Sequence, residues 1–426
     1  MVSTAASDLS NTFNQQSLMP MFQLSLIVFS GLTRLVNAKY LVKTTHKHRM
    51  IINSCLMLSG FILITLACFN DSNQLAFYVA LISSLLLGVS SALGESTILG
   101  FCQYLPDKQM VGAFSSGTGF AGIFGAGFIL SMKFMGMSNA QIFLSIIPSA
   151  LVYYLCFYKL NSSINKLPSI LRTTHGTRKS SHEYQLQDFL LTQNQNSVQH
   201  SIDRQQHDIM LNKTLNTHEF KKILSKVGYF IINLMLVYFL EYTILTSFCD
   251  KISRQMLAEH NDKQIGQPVN SPNNDNYLYV NGYAIMAFSY QIGVFISRSS
   301  LSLIKIQKVH LITTLQFVNF VVMLLVSLGG WRLLGESYLV LIFIMIWVGL
   351  MGGASYVNVM YWILQSGNTS NDNTTISEMS DNENQGDTMN GLAENEKELA
   401  LTICTAANDI GILSASLLSL ALNFVY

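Results

Sequence analysis

Charge is what this sequence has least of. Only 12% of its 426 residues are charged, where a soluble domain carries about 25%. The formal net charge of +1 supplies no basic footprint, so no nucleic-acid partner is expected. The six cysteines (Cys55, Cys68, Cys102, Cys156, Cys249 and Cys404) form no CxxC pair, and most lie within or beside apolar runs. That pattern argues against a disulfide framework or a zinc site, and no metal or other cofactor is expected. The N-terminus lacks the basic, apolar, small-residue order of a cleaved leader and opens on a polar stretch read as a tail over 1–17. ATP-binding motifs, GxGD or GxSG protease cores and His clusters within an apolar run are also missing, so neither a primary pump nor an intramembrane enzyme is expected.

What remains is apolar. Half of the residues are hydrophobic, and the mean hydropathy of +0.35 points to lipid as the solvent. A membrane helix needs about 20 mostly apolar residues. On that measure the chain offers Leu18–Val36, Ile51–Phe69, Leu75–Phe101, Val111–Met132 and Ala140–Tyr158, then Ile223–Phe248, Tyr277–Ser297, Val309–Leu328, Ser337–Leu364 and Leu399–Val425. The organisation is a five-helix half over 18–160, a polar loop over 161–222, and a second five-helix half over 223–426 interrupted by a polar loop at 366–397.

The connection holding Lys39, Lys43, Lys47 and Arg49, the central loop, and the stretch Arg298–Lys308 are all basic. The positive-inside rule therefore places them in the cytosol. The loops over 161–217 and 366–397 are too polar to offset chain entropy and are read as disordered. The glycosylation-type matches at Asn161, Asn212, Asn368 and Asn373 fall on the cytosolic side in this topology.

The halves resemble one another. Ala92-Leu-Gly-Glu95 in span three corresponds to Gly352-Gly-Ala-Ser-Tyr356 in span nine. Ser115-Ser-Gly-Thr118 opens span four as Thr402-Ile-Cys-Thr405 opens span ten. Phe29-Ser-Gly-Leu-Thr-Arg34 ends span one as Phe295-Ile-Ser-Arg298 ends span seven. A duplicated unit predicts a site between the repeats near the midplane. Span six then has its counterpart in a helix before Leu18, which this reading expects to be missing.

Ionisable groups inside a span are costly and usually face a cavity or a partner. Glu95, Glu241 and Asp409 stand within spans, and Arg298 ends one. They predict a polar path for a proton or a charged solute; the alternative is a carboxylate that locks helix to helix or sits at a hydrated edge. For Arg298 the alternative is a cytosolic anchor. Arg34 and Lys133, near span ends, are read as snorkelling. Ser115, Ser116 and Thr118 form a row of hydroxyls in a glycine-rich span whose formal GxGxxG at Gly117, Gly119 and Gly122 lacks the strand that a dinucleotide loop requires. Small residues there allow close helix packing. Tyr356, Asn358 and Asn408 bring polar tips into hydrocarbon, and Gly352 and Gly353 weaken their helix enough to suit a broken span lining a cavity.

Together, Gly94-Glu95, Ser115-Ser-Gly-Thr-Gly119, Val237-Tyr-Phe-Leu-Glu-Tyr242, Gln291-Ile-Gly-Val-Phe-Ile-Ser-Arg-Ser-Ser300 and Gly352-Gly-Ala-Ser-Tyr-Val-Asn358 resemble the signatures of the battenin family, in the same order. The resemblance implies an all-α, two-repeat bundle similar to the major facilitator superfamily, with eleven spans in the family and about ten here. It also implies a lysosomal or vacuolar membrane, and roles in lysosomal pH balance, basic amino-acid handling and clearance of glycerophosphodiesters. Tyr242 and Gln291, inside these motifs, join the residues above as expected lining of a substrate or proton path. The sequence departs from the family at Asn408-Asp409, where the family has a single Asp, and in its last residues, which do not form a prenylation box. Two functions remain open: a proton-linked transporter of a small polar solute, and a scaffold that recruits trafficking proteins through loop 161–222, where Asp188-Phe-Leu-Leu191 is a weak dileucine-like signal.

Overall fold

The structure, a computed structural model, describes residues 2–41, 44–70, 74–102, 109–165, 217–264, 274–329, 337–365 and 394–425. Among these residues the regular structure is entirely helical. The first half consists of α1 (Val2–Thr12), α2 (Pro20–Ile27), α3 (Ser30–Lys39), α4 (His46–Phe69), α5 (Gln74–Cys102), α6 (Gln109–Phe134), α7 (Asn139–Ile146) and α8 (Pro148–Asn165). The second consists of α9 (Thr217–Thr243), α10 (Cys249–Gln264), α11 (Asn274–Val280), α12 (Gly282–Ser299), α13 (Val309–Gly329), α14 (Tyr338–Gln365) and α15 (Glu394–Val425).

Nine of the described helical stretches are long and apolar enough to cross a bilayer. They match nine of the ten expected spans. The tenth, Tyr277–Ser297, is helical over Gly282–Ser299 but falls outside that apolar set, and Tyr283, Ser289, Tyr290 and Ser297 on it are buried. Large apolar side chains such as Phe120, Phe124, Leu151, Leu315 and Phe343 point outward, as they should where lipid rather than water surrounds the bundle.

Span one is not continuous. It breaks between α2 and α3, where Ser30 Oγ donates to the Ile27 carbonyl at 2.7 Å. Span six runs on past its expected end. A π-helical turn at Ile244–Phe248 joins α9 to α10, giving a continuous helical stretch from Ile223 to Asp262 whose first part is apolar.

The reading of 1–17 as a polar tail is corrected by α1. Val2, Ala5, Ala6 and Leu9 are buried at helical spacing, so the segment is amphipathic rather than solvated. Ser7 donates to Asp250 at 3.4 Å, Asp8 pairs with Lys133, and the Ser3 carbonyl accepts from Tyr283 at 3.1 Å. Lys133 is therefore tied to α1 rather than snorkelling.

Packing follows the order of the repeat. Within the halves, α4 packs on α5, α2 and α3 pack on α5, and α12 packs on α14. Within the second half α9 also lies against α15; between the halves, α6 lies against α12, and α15 lies against α2 and α3. The α12–α14 contact is main chain to main chain. At Gly293 and Gly349 a side chain would collide with the carbonyls of Ile346 and Tyr290 respectively, which is how small residues bring membrane helices together.

The central loop over 166–216, with Asp188–Leu191 and Asn212, and the loop over 366–393, with Asn368 and Asn373, lie outside the described residues.

Candidate functional site

The polar residues meet at the seam between the halves. Arg34 of α3 is 5% exposed. Its Nε donates to Asp409 Oδ2 of α15 at 2.7 Å, and its Nη2 donates to Glu95 Oε2 of α5 at 2.7 Å and to Asp409 Oδ1 at 3.3 Å. One planar guanidinium thus holds a carboxylate of each half, a geometry that a lysine ammonium cannot reproduce. This corrects the snorkelling assignment of Arg34.

Glu95 is held from the other side as well, since Tyr356 of α14 donates its hydroxyl to Oε1 at 2.5 Å. The Arg298 guanidinium of α12 lies 4.5 Å from the centroid of the same tyrosine ring, within cation–π range. Arg298 Nη1 donates to Thr118 Oγ1 of α6 at 2.8 Å, and Nη2 to the Tyr238 hydroxyl of α9 at 3.3 Å. Thr118 Oγ1 in turn donates to the Ser115 carbonyl at 2.8 Å. Arg298 is a partly buried member of this network and not a solvated anchor. Three residue pairs are therefore bonded from one half to the other in this cluster: Arg34 with Asp409, Tyr356 with Glu95, and Arg298 with Thr118.

Glu241 of α9 is 2% exposed. Oε1 accepts from the Tyr290 hydroxyl of α12 at 2.7 Å, and Oε2 has no hydrogen-bond partner. Gly352 of α14 lies directly against Oε2, leaving no room for a Cβ. Gly352 and Tyr356 are one turn apart on α14, so Glu241 and Glu95 meet successive turns of one helix face. Tyr242 stacks on Tyr238 with ring centroids 6.0 Å apart.

The structure thus gathers Glu95, Asp409, Arg298, Thr118 and Tyr356, with Glu241 and Tyr242 beside them. Asn408 is buried next to Asp409, with its Oδ1 unpartnered. Other expected residues lie apart. Ser116 pairs with Ser299 at 2.8 Å in an exposed part of the α6–α12 seam. Gln291 faces α6 at Gly122. Asn358 accepts the Ile306 amide at 2.7 Å and so secures the connection after α12.

Sequence reasoning missed Arg34, Tyr238 and Tyr290. Arg34 had a usable signal, because the repeat sets it opposite Arg298. No group of three or more metal-ligating side chains occurs among the described residues.

A helical bundle crossing a membrane many times, with paired ionisable groups buried where its halves meet, is a multi-pass membrane protein. The chain belongs to the CLN3 protein family, whose sequence profile matches residues 1–425. It is 31% identical to battenin of Dictyostelium discoideum over 378 residues, covering 88% of this chain and 84% of that protein. It is 28% identical over 343 residues to protein BTN1 of Eremothecium gossypii, covering 78% and 75%. Battenin of Canis lupus familiaris shares 26% identity over 277 residues, 65% of this chain and 54% of the dog protein.

Proposed function

We propose that this protein is a proton-linked secondary transporter of the lysosomal or vacuolar membrane. It carries a small polar solute, a glycerophosphodiester or a basic amino acid, out of an acidic lumen and so supports lysosomal pH homeostasis. Family membership and the battenin-type motifs support the compartment and the solute classes. The observation that carries the transport reading is the buried cluster itself. Five ionisable side chains, three of them buried (Arg34, Glu241 and Asp409) and two partly buried (Glu95 and Arg298), are kept in a lipid-solvated bundle at the junction of two halves, where an alternating-access protein places its site.

In this reading the three bonded pairs between the halves close one side of the path. Opening that side separates Arg34 from Asp409, Tyr356 from Glu95 and Arg298 from Thr118. An anionic solute group competes for the guanidiniums, each of which retains one nitrogen without an acceptor, Nη1 of Arg34 and Nε of Arg298.

The test is uptake. Purified protein in liposomes, given an inwardly directed proton gradient and labelled glycerophosphodiester or lysine, accumulates one of them above protein-free vesicles. Failure to accumulate either, with the protein folded and correctly inserted, rejects the transporter and leaves the membrane scaffold.

A further inference from the structure

The cluster contains two cations, Arg34 and Arg298, and three acids, Glu95, Asp409 and Glu241. The acids are not equivalent. Arg34 binds Glu95 and Asp409 at 2.7 Å each, and Tyr356 adds a donor to Glu95. Glu241 has no ion-pair partner among the described residues; its only bonded neighbour is the neutral Tyr290 hydroxyl, and its Oε2 is bare.

The charged and titratable groups around it come from every side. Tyr238 and Tyr242 lie on its own helix, Tyr290 and Arg298 on α12, Tyr356 on α14, Asp409 on α15 and Glu95 on α5. The one cation facing it, Arg298, is turned toward Thr118, Tyr238 and the Tyr356 ring. With all five groups ionised the cluster carries one uncompensated negative charge; with a proton on Glu241 it carries none. A buried charge without a counter-charge is neutralised instead of tolerated.

We infer that the coupling proton binds Glu241 at Oε2, and that Glu95 and Asp409 stay ionised as the fixed counter-charges of Arg34. This rests on the proton-linked reading above and assigns the proton within it.

The step involves no covalent change beyond one O–H bond. A proton taken from the acidic side attaches to Oε2 and is released to the opposite side when the carboxylate is exposed there. Gly352 gives the arrangement its shape, because its missing side chain lets the main chain of α14 cover Oε2 without supplying a donor. A carboxylate covered in this way has no protein group to take the proton's place. Any movement of α14 away from α9 uncovers Oε2, so proton release is coupled to the separation of helices that also carry Tyr356 and Glu241.

Infrared difference spectra of the full chain in liposomes, recorded across pH, test this without requiring transport. The wild type shows a protonated-carboxyl band that titrates. Glu241→Gln abolishes it, whereas Asp409→Asn keeps a titrating band, with its midpoint displaced because one negative charge of the cluster is gone. Tyr290→Phe, which retains the carboxylate and removes the hydroxyl on Oε1, displaces the midpoint of the band. Persistence of the band in Glu241→Gln, or its loss in Asp409→Asn, overturns the assignment; if Glu241→Gln fails to fold, an undisplaced midpoint in Tyr290→Phe overturns it instead. In uptake assays Glu241→Gln loses the stimulation by a proton gradient, and retention of that stimulation also overturns the assignment. Absence of uptake by the wild type rejects the transport reading, while the infrared result still decides where the proton sits.

Discussion

Arg34 and Arg298 hold corresponding positions in the two halves and keep opposite company. Around Arg34 everything that matters is ionised, with Asp409 and Glu95 each at 2.7 Å. The groups bonded to Arg298 are all neutral, namely the Thr118 hydroxyl, the Tyr238 hydroxyl and the face of Tyr356, and the acids Glu95 and Glu241 act on it only through space. The two arginines thus define a charge-locked side and a hydroxyl-and-ring side. Removing a charge from a directly bonded ion pair strands its partner, whereas removing one bonded only to neutral groups costs chiefly hydrogen bonds. The two sides should therefore respond very differently to the same substitution.

The largest difference is expected at Arg34. Arg34→Met leaves the buried Asp409 and the partly buried Glu95 without a bonded cation and should cost about 3–5 kcal/mol of stability in mixed-micelle unfolding. Adding Asp409→Asn should recover part of that loss, because one stranded charge is gone. Arg34→Lys should recover little, since an ammonium cannot bridge both acids. If Arg34→Met costs no more than Arg298→Met, the contrast fails.

Arg298→Met itself should cost about 1.5–3 kcal/mol, the range for hydrogen bonds to a charged group. It should need no second-site relief at Thr118. A third substitution probes the covered carboxylate: Gly352→Ala forces a methyl into Glu241 Oε2 and should destabilise by about 1–3 kcal/mol. Combining it with Glu241→Ala should give less than the sum of the two, the signature of a direct contact. The smallest effect is expected for Thr118→Val, about 1 kcal/mol or less, seen as a modest shift of the unfolding midpoint.

Much of the architecture was legible because hydrocarbon solvation writes it into composition. Nine of the spans are visible as apolar runs for that reason. Glu95, Glu241 and Asp409 stood out by the same logic, as acids where acids are expensive.

What the sequence concealed was pairing. Arg34 lies in the stretch leading to a basic connection, where snorkelling is the ordinary fate of an arginine, and only the three-dimensional approach of α15 to α3 turns it inward. Tyr290 and Tyr238 carry no charge to draw attention, although their hydroxyls decide which acid and which guanidinium are satisfied. The amphipathic α1 was obscured because Ser, Thr, Asp and Asn dilute its stripe. Its pattern is carried by Val2, Ala5, Ala6 and Leu9, small or few enough for average polarity to mask the period. Ser116 and Asn358 were grouped with the site on residue type and motif alone, and no periodicity could have told that one serves a helix seam and the other a connection.

The bare contact of α12 with α14 has a mechanical corollary. Two rods touching through their main chains at Gly293 and Gly349 have no side-chain bearing on which to roll. They must tilt together as a single plank, which means that Tyr290, Arg298, Gly352 and Tyr356 ride on one lever and change position in step.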